Sequence, residues 1–361
     1  MSNKVEGKCS SCGANLKFNI AKQSLQCDYC GETRALAAFQ VLGKEPLSTL
    51  KNQGNSWNGE KRVLQCLNCG AQEVVDANSI SSLCPFCGSF KLTDTNLLPG
   101  LKPSGLLPFL YDKEQISKIF ESWIKKKLFR PNKLKQTKIS TFNGVYTPCW
   151  VFDSNVSTDY DGRFYNEHKD SDGDTHRDYF NVSGTRHDAF NNVAINVGDK
   201  INEGDFNTLK PFDFTKAVPY DPAYLLGFSA SHYSKPVEVA FDSAKDYMKK
   251  RVKNLIVAEQ HADGYTRLDL TCSFKDVMSN YLLLPVWIMT YKYNNKEYRI
   301  MSNGQTGELV GKTPRSPVKI TLAVILDLII CGLLIAYVGA YVGVPVLIIS
   351  IIALIIAIVV G

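Results

Sequence analysis

Eight of the eleven cysteines fall in four Cys-x-x-Cys pairs that make two copies of one pattern. Cys9, Cys12, Cys27 and Cys30 form the first set, and Cys66, Cys69, Cys84 and Cys87 form the second. Each member of the second set lies 57 positions after its counterpart, so both share the spacing C-x2-C-x14-C-x2-C. Four thiolates at such a spacing suit a tetrahedral zinc ion, because one tight turn offers two sulfurs and a second turn completes the shell. A glycine follows the second cysteine of every pair: Gly13, Gly31, Gly70 and Gly88. Glycine reaches positive φ without steric cost, so the chain can turn sharply there while its amides face sulfur. Disulfides and redox thiols are the competing uses of such pairs. A thioredoxin-like site expects a βαβ setting, which neither set has. The regular metal spacing and the lack of a secretory leader point to a reducing compartment. The expectation is two structural Zn2+ ions, with no open coordination position for catalysis.

The elements that must carry these sulfurs follow from the pattern. Residues 1–36 and 61–95 each read as a small β zinc ribbon, too small for a self-sufficient core and folded only around its ion. Residues 37–60 read as a connector whose end is rich in Asn and Gly. From 98 to 315 the pattern changes to an α+β domain with a mostly antiparallel sheet. Asp112 opens a helix, and Ile116, Ile119, Phe120, Trp123, Ile124 and Leu128 recur on one face until Pro131. Gly144 to Tyr160 alternates as a strand, and residues 166–178 read as a polar surface turn. A second helix is expected over Ser243 to Glu259, followed by strands at Tyr265 to Phe274 and Leu282 to Tyr293. Asn294-Asn295 should turn the latter into a further strand.

The other end of the chain is strongly apolar. From Ile320 to Gly361 the only charged residue is Asp327. A bilayer core takes about 20 helical residues, so two transmembrane helices, 318–338 and 344–360, are predicted around Gly339, Gly343 and Pro345. Lys312, Arg315 and Lys319 flank the first of them, and the positive-inside rule then places the large N-terminal part and the C-terminus in the cytoplasm of a multi-pass plasma-membrane protein. A carboxylate in such a helix costs about 2.5–3.5 kcal/mol on insertion scales, so Asp327 would associate helices or be shielded by the second one. Homo-oligomerisation through the hairpin is compatible with that residue.

Several other features invite chemistry. Seven Lys or Arg and no acid lie between Lys125 and Lys138, which suits either anionic lipids and phosphates or an ordinary solvated helix end. Asp170 to Asp178 has the look of a calcium loop, but its glycine is misplaced and Asn181 stands where a bidentate Glu belongs. The five histidines show no paired spacing. Cys149 and Cys272 lie in apolar strands and read as core residues. Gly304 to Gly311 lacks the Lys-Ser/Thr ending of a phosphate loop. No recognisable nucleophile–base set stands out, so the chain is not expected to be an enzyme.

The two CxxCG…CxxCG ribbons resemble the transcription-factor-IIB-type zinc ribbons shared by polymerase subunits and bacterial adaptors. The longer pattern of LLPF, DKEQISKIFESWIKKKLFRP, GVYTPCWVFD and YLLLPVWIMTYKYNNKEYRIMSNGQTGELVGKTP, followed by the apolar tail, is similar to bacterial membrane-anchored double-zinc-ribbon proteins. That resemblance implies a membrane adaptor that recruits phage-shock-protein-A-like and SPFH-domain partners in envelope stress, with membrane lipids as a further contact. The alternative is a membrane-tethered nucleic-acid binder. Ribbon two, with Lys61, Arg62 and Lys91 against Glu60, Glu73, Asp76 and Asp94, carries no phosphate footprint, so nucleic acid is the weaker expectation.

Overall fold

The computed structural model describes residues 8–36, 42–51, 61–76, 84, 86, 92–97, 101–338, 348 and 352. The first ribbon is a three-stranded antiparallel sheet of β1 (Leu16–Asn19), β2 (Ser24–Cys27) and β3 (Thr33–Ala35). The connector supplies β4 (Glu45–Pro46) and a single helical turn, α1 (Leu47–Lys51). The second ribbon contains β5 (Lys61–Cys66), β6 (Gln72–Asp76) and β7 (Leu92–Leu97). Next come β8 (Gly105–Leu106) and α2 (Lys113–Lys126).

α2 opens at Asp112 as expected, and its first turn is closed by a capping box. Asp112 Oδ1 accepts the Gln115 amide at 2.8 Å, and Gln115 Oε1 accepts the Asp112 amide at 2.8 Å. This reciprocal pair satisfies two donors that the first helical turn leaves open. Ile116, Phe120 and Ile124 are buried as expected, but the helix stops at Lys126 and Leu128 is 74% exposed. Asp112→Ala is expected to cost about 1 kcal/mol in chemical denaturation, and Asp112→Asn much less, since Asn keeps the accepting oxygen.

The body is organised by three long strands: β9 (Ile139–Lys169), β10 (Thr175–Asn196) and, after the intervening elements, β13 (Gly264–Tyr293). Between them lie α3 (Glu203–Leu209), β11 (Val218–Pro219), β12 (Ser229–Ser231) and α4 (Val237–Glu259). After β13 come β14 (Lys296–Asn303), β15 (Leu309–Gly311) and α5 (Pro317–Val338). The predicted pair Tyr265–Phe274 and Leu282–Tyr293 is thus one strand, bent by register shifts where it crosses β9. The polar run 166–178 is mostly strand too, because β9 and β10 continue pairing out to Lys169 and Thr175. Only the tip turns. Asn294 and Asn295 do turn as read, both at positive φ (48° and 59°), and link β13 to β14.

Apart from ribbon one, the strands join a twelve-stranded mixed sheet. Most ladders are antiparallel, but β12 runs parallel to β9 and β8 parallel to β13. Ribbon two is part of this sheet: β6 pairs β12 through Val74↔Ala230 and Glu73↔Ser231. A free-standing second ribbon is therefore replaced by a sheet edge, because β12 offers ladder hydrogen bonds that an isolated ribbon would leave to water. α4 covers the long strands with Ala240, Ala244, Met248, Val252 and Ile256, all fully buried. The guanidinium of Arg186 binds both oxygens of Asp188 (2.7 and 2.8 Å) and also reaches Glu259 at the end of α4, tying helix to strand.

The C-terminal expectation requires correction. Among the described residues no helix is long and apolar enough to cross a membrane. The transmembrane hairpin of the expected fold, and with it the multi-pass plasma-membrane placement, does not stand. The region expected to form the second helix, 344–360, lies outside the described residues except for 348 and 352. The start of α5 is instead fastened to the basic run after α2. Lys319 Nζ donates to the Leu128 carbonyl (3.3 Å) and to Asn132 Oδ1 (2.8 Å), and Arg130 Nη1 donates to the Thr313 carbonyl (3.1 Å).

Candidate metal centres

Three of the four predicted knuckles are described, and they share one backbone arrangement. In the first, the Cys9 amide donates to the Ala14 carbonyl (2.7 Å) and the Gly13 amide to the Cys9 carbonyl (2.9 Å). Cys27 and Gly31 repeat this with Glu32, and Cys66 and Gly70 repeat it with Ala71. Gly13, Gly31 and Gly70 stand at φ 72°, 78° and 70°. A Cβ is strained in that region, by roughly 1–2 kcal/mol, which is why the glycine recurs after each pair.

The first centre gathers all four predicted ligands. The sulfurs of Cys9, Cys12, Cys27 and Cys30 lie within 4.8 Å of one another. Cys9 and Cys30 are 3.5 Å apart, as are Cys12 and Cys27. Sulfurs of a tetrahedral zinc site at about 2.3 Å from the ion would be about 3.8 Å apart, whereas a disulfide needs about 2.05 Å. The donor set therefore fits a metal ion and does not fit a disulfide. Electrostatics agrees. The Cys30 amide, seconded by that of Tyr29, lowers the Cys27 thiol to about 7. The Glu32 amide favours a thiolate at Cys30, but the neighbouring Cys9 and Cys12 sulfurs outweigh it and push Cys30 up to about 12. Four thiolates this close cannot all ionise without a cation among them, and a divalent ion removes that conflict.

The second centre brings together Cys66, Cys69 and Cys84, with Cys69 and Cys84 sulfurs 3.6 Å apart. Cys87, the predicted fourth ligand, lies outside the described residues. Its surroundings differ from those of the first. Cys66 and Cys84 are each 1% exposed and belong to the main core with Ala71, Phe86, Leu107 and Val145. Two cations from the body reach this buried corner. Lys200 Nζ donates to the Cys69 carbonyl at 2.6 Å, and the Arg299 guanidinium sits 5.4 Å over the Phe86 ring. Burial lowers the pKa of Arg299, and the nearby Cys69 and Cys84 thiols oppose that shift. A four-thiolate site around a divalent ion carries net negative charge, so positive neighbours compensate where water is excluded. Sequence reasoning missed both residues, since 131 positions separate Lys200 from Cys69 and no local spacing relates them.

Near the first centre, sequence reasoning also missed Glu32. Its carboxylate accepts from Ser10 Oγ (3.1 Å) and Ser11 Oγ and lies 3.7 Å from the Cys9 sulfur. The remaining cysteines behave as read. Cys149 is fully buried, and burial pushes its thiol up to about 12, so it stays a neutral packing group. Cys272 is partly buried and accepts from Thr158 Oγ1 at 3.3 Å.

No family model matches the chain, and no solved structure matches it. Among curated proteins, the uncharacterized protein YdjG of Bacillus subtilis (strain 168) is 28% identical over 323 residues, spanning 88% of this chain and 92% of its own length.

Proposed function

We propose that the chain is a non-enzymatic adaptor whose two cysteine centres hold zinc, with ribbon one as the surface offered to a protein partner. The observation that carries this reading is the contrast between the centres. Ribbon two is built into the sheet and core, while ribbon one stands as its own sheet with Cys12, Cys30 and Tyr29 exposed, Tyr29 at 85%. Four sulfurs around one ion leave no position for a substrate. A rigid exposed knuckle with an aromatic at its crest is instead the kind of group that anchors protein interfaces. Thiolate ligands and tetrahedral geometry favour zinc over harder cations. Ribbon one also neutralises one of its own lysines, since Lys17 Nζ pairs with Asp28 at 2.5 Å, which favours a protein over a phosphate backbone as its partner. The resemblance of the sequence makes phage-shock-protein-A-like and SPFH-domain proteins the first partners to try.

Tyr29→Ala removes the aromatic without touching a ligand. It should keep full metal content and lose at least tenfold in affinity for the bound protein, measured by native co-purification followed by binding of the isolated pair. A chain that copurifies with nothing, in stressed and unstressed cells alike, would sink the proposal.

A further inference from the structure

The far end of the β9–β10 hairpin holds a constellation that the linear spacing hides. His168 and His176 are direct cross-strand partners, and their rings lie 5.7 Å apart between centroids at 27°. Each imidazole has its own carboxylate. His176 Nε2 meets Asp170 Oδ2 at 2.8 Å, and His168 Nδ1 meets Asp178 Oδ2 at 3.3 Å. Asp170 is itself fixed, because its Oδ1 accepts the amides of Asp172 (3.0 Å) and Asp174 (2.9 Å) across the turn.

His176 therefore has one ring nitrogen hydrogen-bonded to a carboxylate, and His168 has one within ion-pair distance of Asp178, leaving the second nitrogen of each ring for a ligand. That is the arrangement by which metal-ligating histidines are oriented: the carboxylate takes the N–H, fixes the tautomer and makes the opposite nitrogen a better donor. Two imidazoles on one ion, each bound at about 2.0–2.1 Å, have ring centres about 5–6 Å apart, which is the separation found here. The strands supply the rigidity. Residues directly opposite in an antiparallel pair are among the closest cross-strand neighbours a sheet offers, and the Arg177–Glu167 ion pair (2.7 Å) ties the adjoining register position. A calcium site remains unsuited, since two nitrogen donors favour a borderline transition metal over a hard cation.

We infer that the hairpin tip is a third metal site, at which His168 Nε2 and His176 Nδ1 bind a borderline divalent cation such as Zn2+ or Ni2+. Asp178 and Asp170 are positioning residues that orient the two rings. All four side chains are solvent-accessible, so the remaining coordination positions are open to water or to a donor from another molecule. The site is independent of the cysteine centres and of the adaptor reading.

The test uses the full chain with its thiolate centres already saturated with zinc, titrated calorimetrically with Zn2+ and separately with Ni2+. One further equivalent is expected, weakened at least tenfold by His168→Ala and by His176→Ala. Asp178→Asn should weaken it about tenfold through the lost orientation of His168. His187→Ala, elsewhere on β10, should change nothing. The inference is overturned if no further equivalent binds either ion at submillimolar concentration. It is equally overturned if binding survives both His168→Ala and His176→Ala, or falls as much in His187→Ala. Because the four positions are exposed, loss of fold does not confuse the outcome, and circular dichroism of each variant checks this.

Discussion

Cys9→Ser with Cys12→Ser should reduce the metal content of the cysteine centres from two ions per chain to one and unfold ribbon one alone. The apolar cluster of that ribbon is small: Cys9, Leu16, Phe18, Leu25 and Cys27 with Ala223 of the body. Such a cluster cannot offset the conformational entropy of ordering the ribbon. Structural zinc contributes about 10–16 kcal/mol in comparable small modules, so loss of the ion should dominate. The body has its own cores, one around Trp287 and Tyr291 and another around Trp150 and Phe152, and should keep its melting transition. The matched change Cys66→Ser with Cys69→Ser should behave differently. Cys66 sits in the main core beside Leu107 and Val145, with Cys69 packed against it, and their loss removes negative charge near Arg299 that Asp205 only partly replaces. The second pair should therefore lower the stability of the whole body as well as the metal count. Elemental analysis and hydrogen exchange separate the two cases. Unchanged metal content in either double variant would refute the assignment of those sulfurs as ligands.

Trp287→Ala should destabilise the body by about 3–5 kcal/mol, the range for removing a buried aromatic. Trp287 is 1% exposed and contacts Phe109, Phe142 and Phe228 with ring centroids 4.8, 5.0 and 5.9 Å away. Its Nε1 donates to the carbonyl of the partly buried Tyr111 at 2.8 Å, and truncation also removes that hydrogen bond. The site cannot collapse easily, because the residue opposite on β9 is Gly144, which has no side chain to move into the gap. Phe228 and Trp287 already occupy the space in which a Cβ at Gly144 would sit. At about 2–4 °C per kcal/mol for a domain of this size, the melting temperature should fall by roughly 6–20 °C. Trp287→Phe, which keeps most of the contact, should cost much less. A shift of under about 2 °C for Trp287→Ala would show that this aromatic cluster does not hold the sheet together.

The clusters of Cys9, Cys12, Cys27 and Cys30 and of Cys66, Cys69 and Cys84 were legible because their spacing is local. Two sulfurs three positions apart, a glycine after each pair and a repeat of 57 positions specify knuckles regardless of what surrounds them. The helix after Asp112 was legible for the same reason: its cap and its apolar stripe lie within a few turns. The apolar tail misleads as a membrane crossing: among the described residues no helix is long and apolar enough for one. The run at 166–178 reads as a surface turn because polar residues on a solvated hairpin carry no apolar alternation, although cross-strand hydrogen bonding sustains pairing there out to Lys169 and Thr175 without it.

By itself, then, the chain determined the first cysteine quartet and three members of the second, the capped helix after Asp112 and the Asn294-Asn295 turn, all of them short-range features set by cysteine spacing and backbone sterics. Only the tertiary structure decided that ribbon two is a sheet edge paired to β12, that Lys200 reaches the Cys69 carbonyl and Arg299 the Phe86 ring beside it, and that His168 stands opposite His176. Those relations depend on strand register and on burial between distant segments, and pairings of that kind leave no periodic trace along a single sequence.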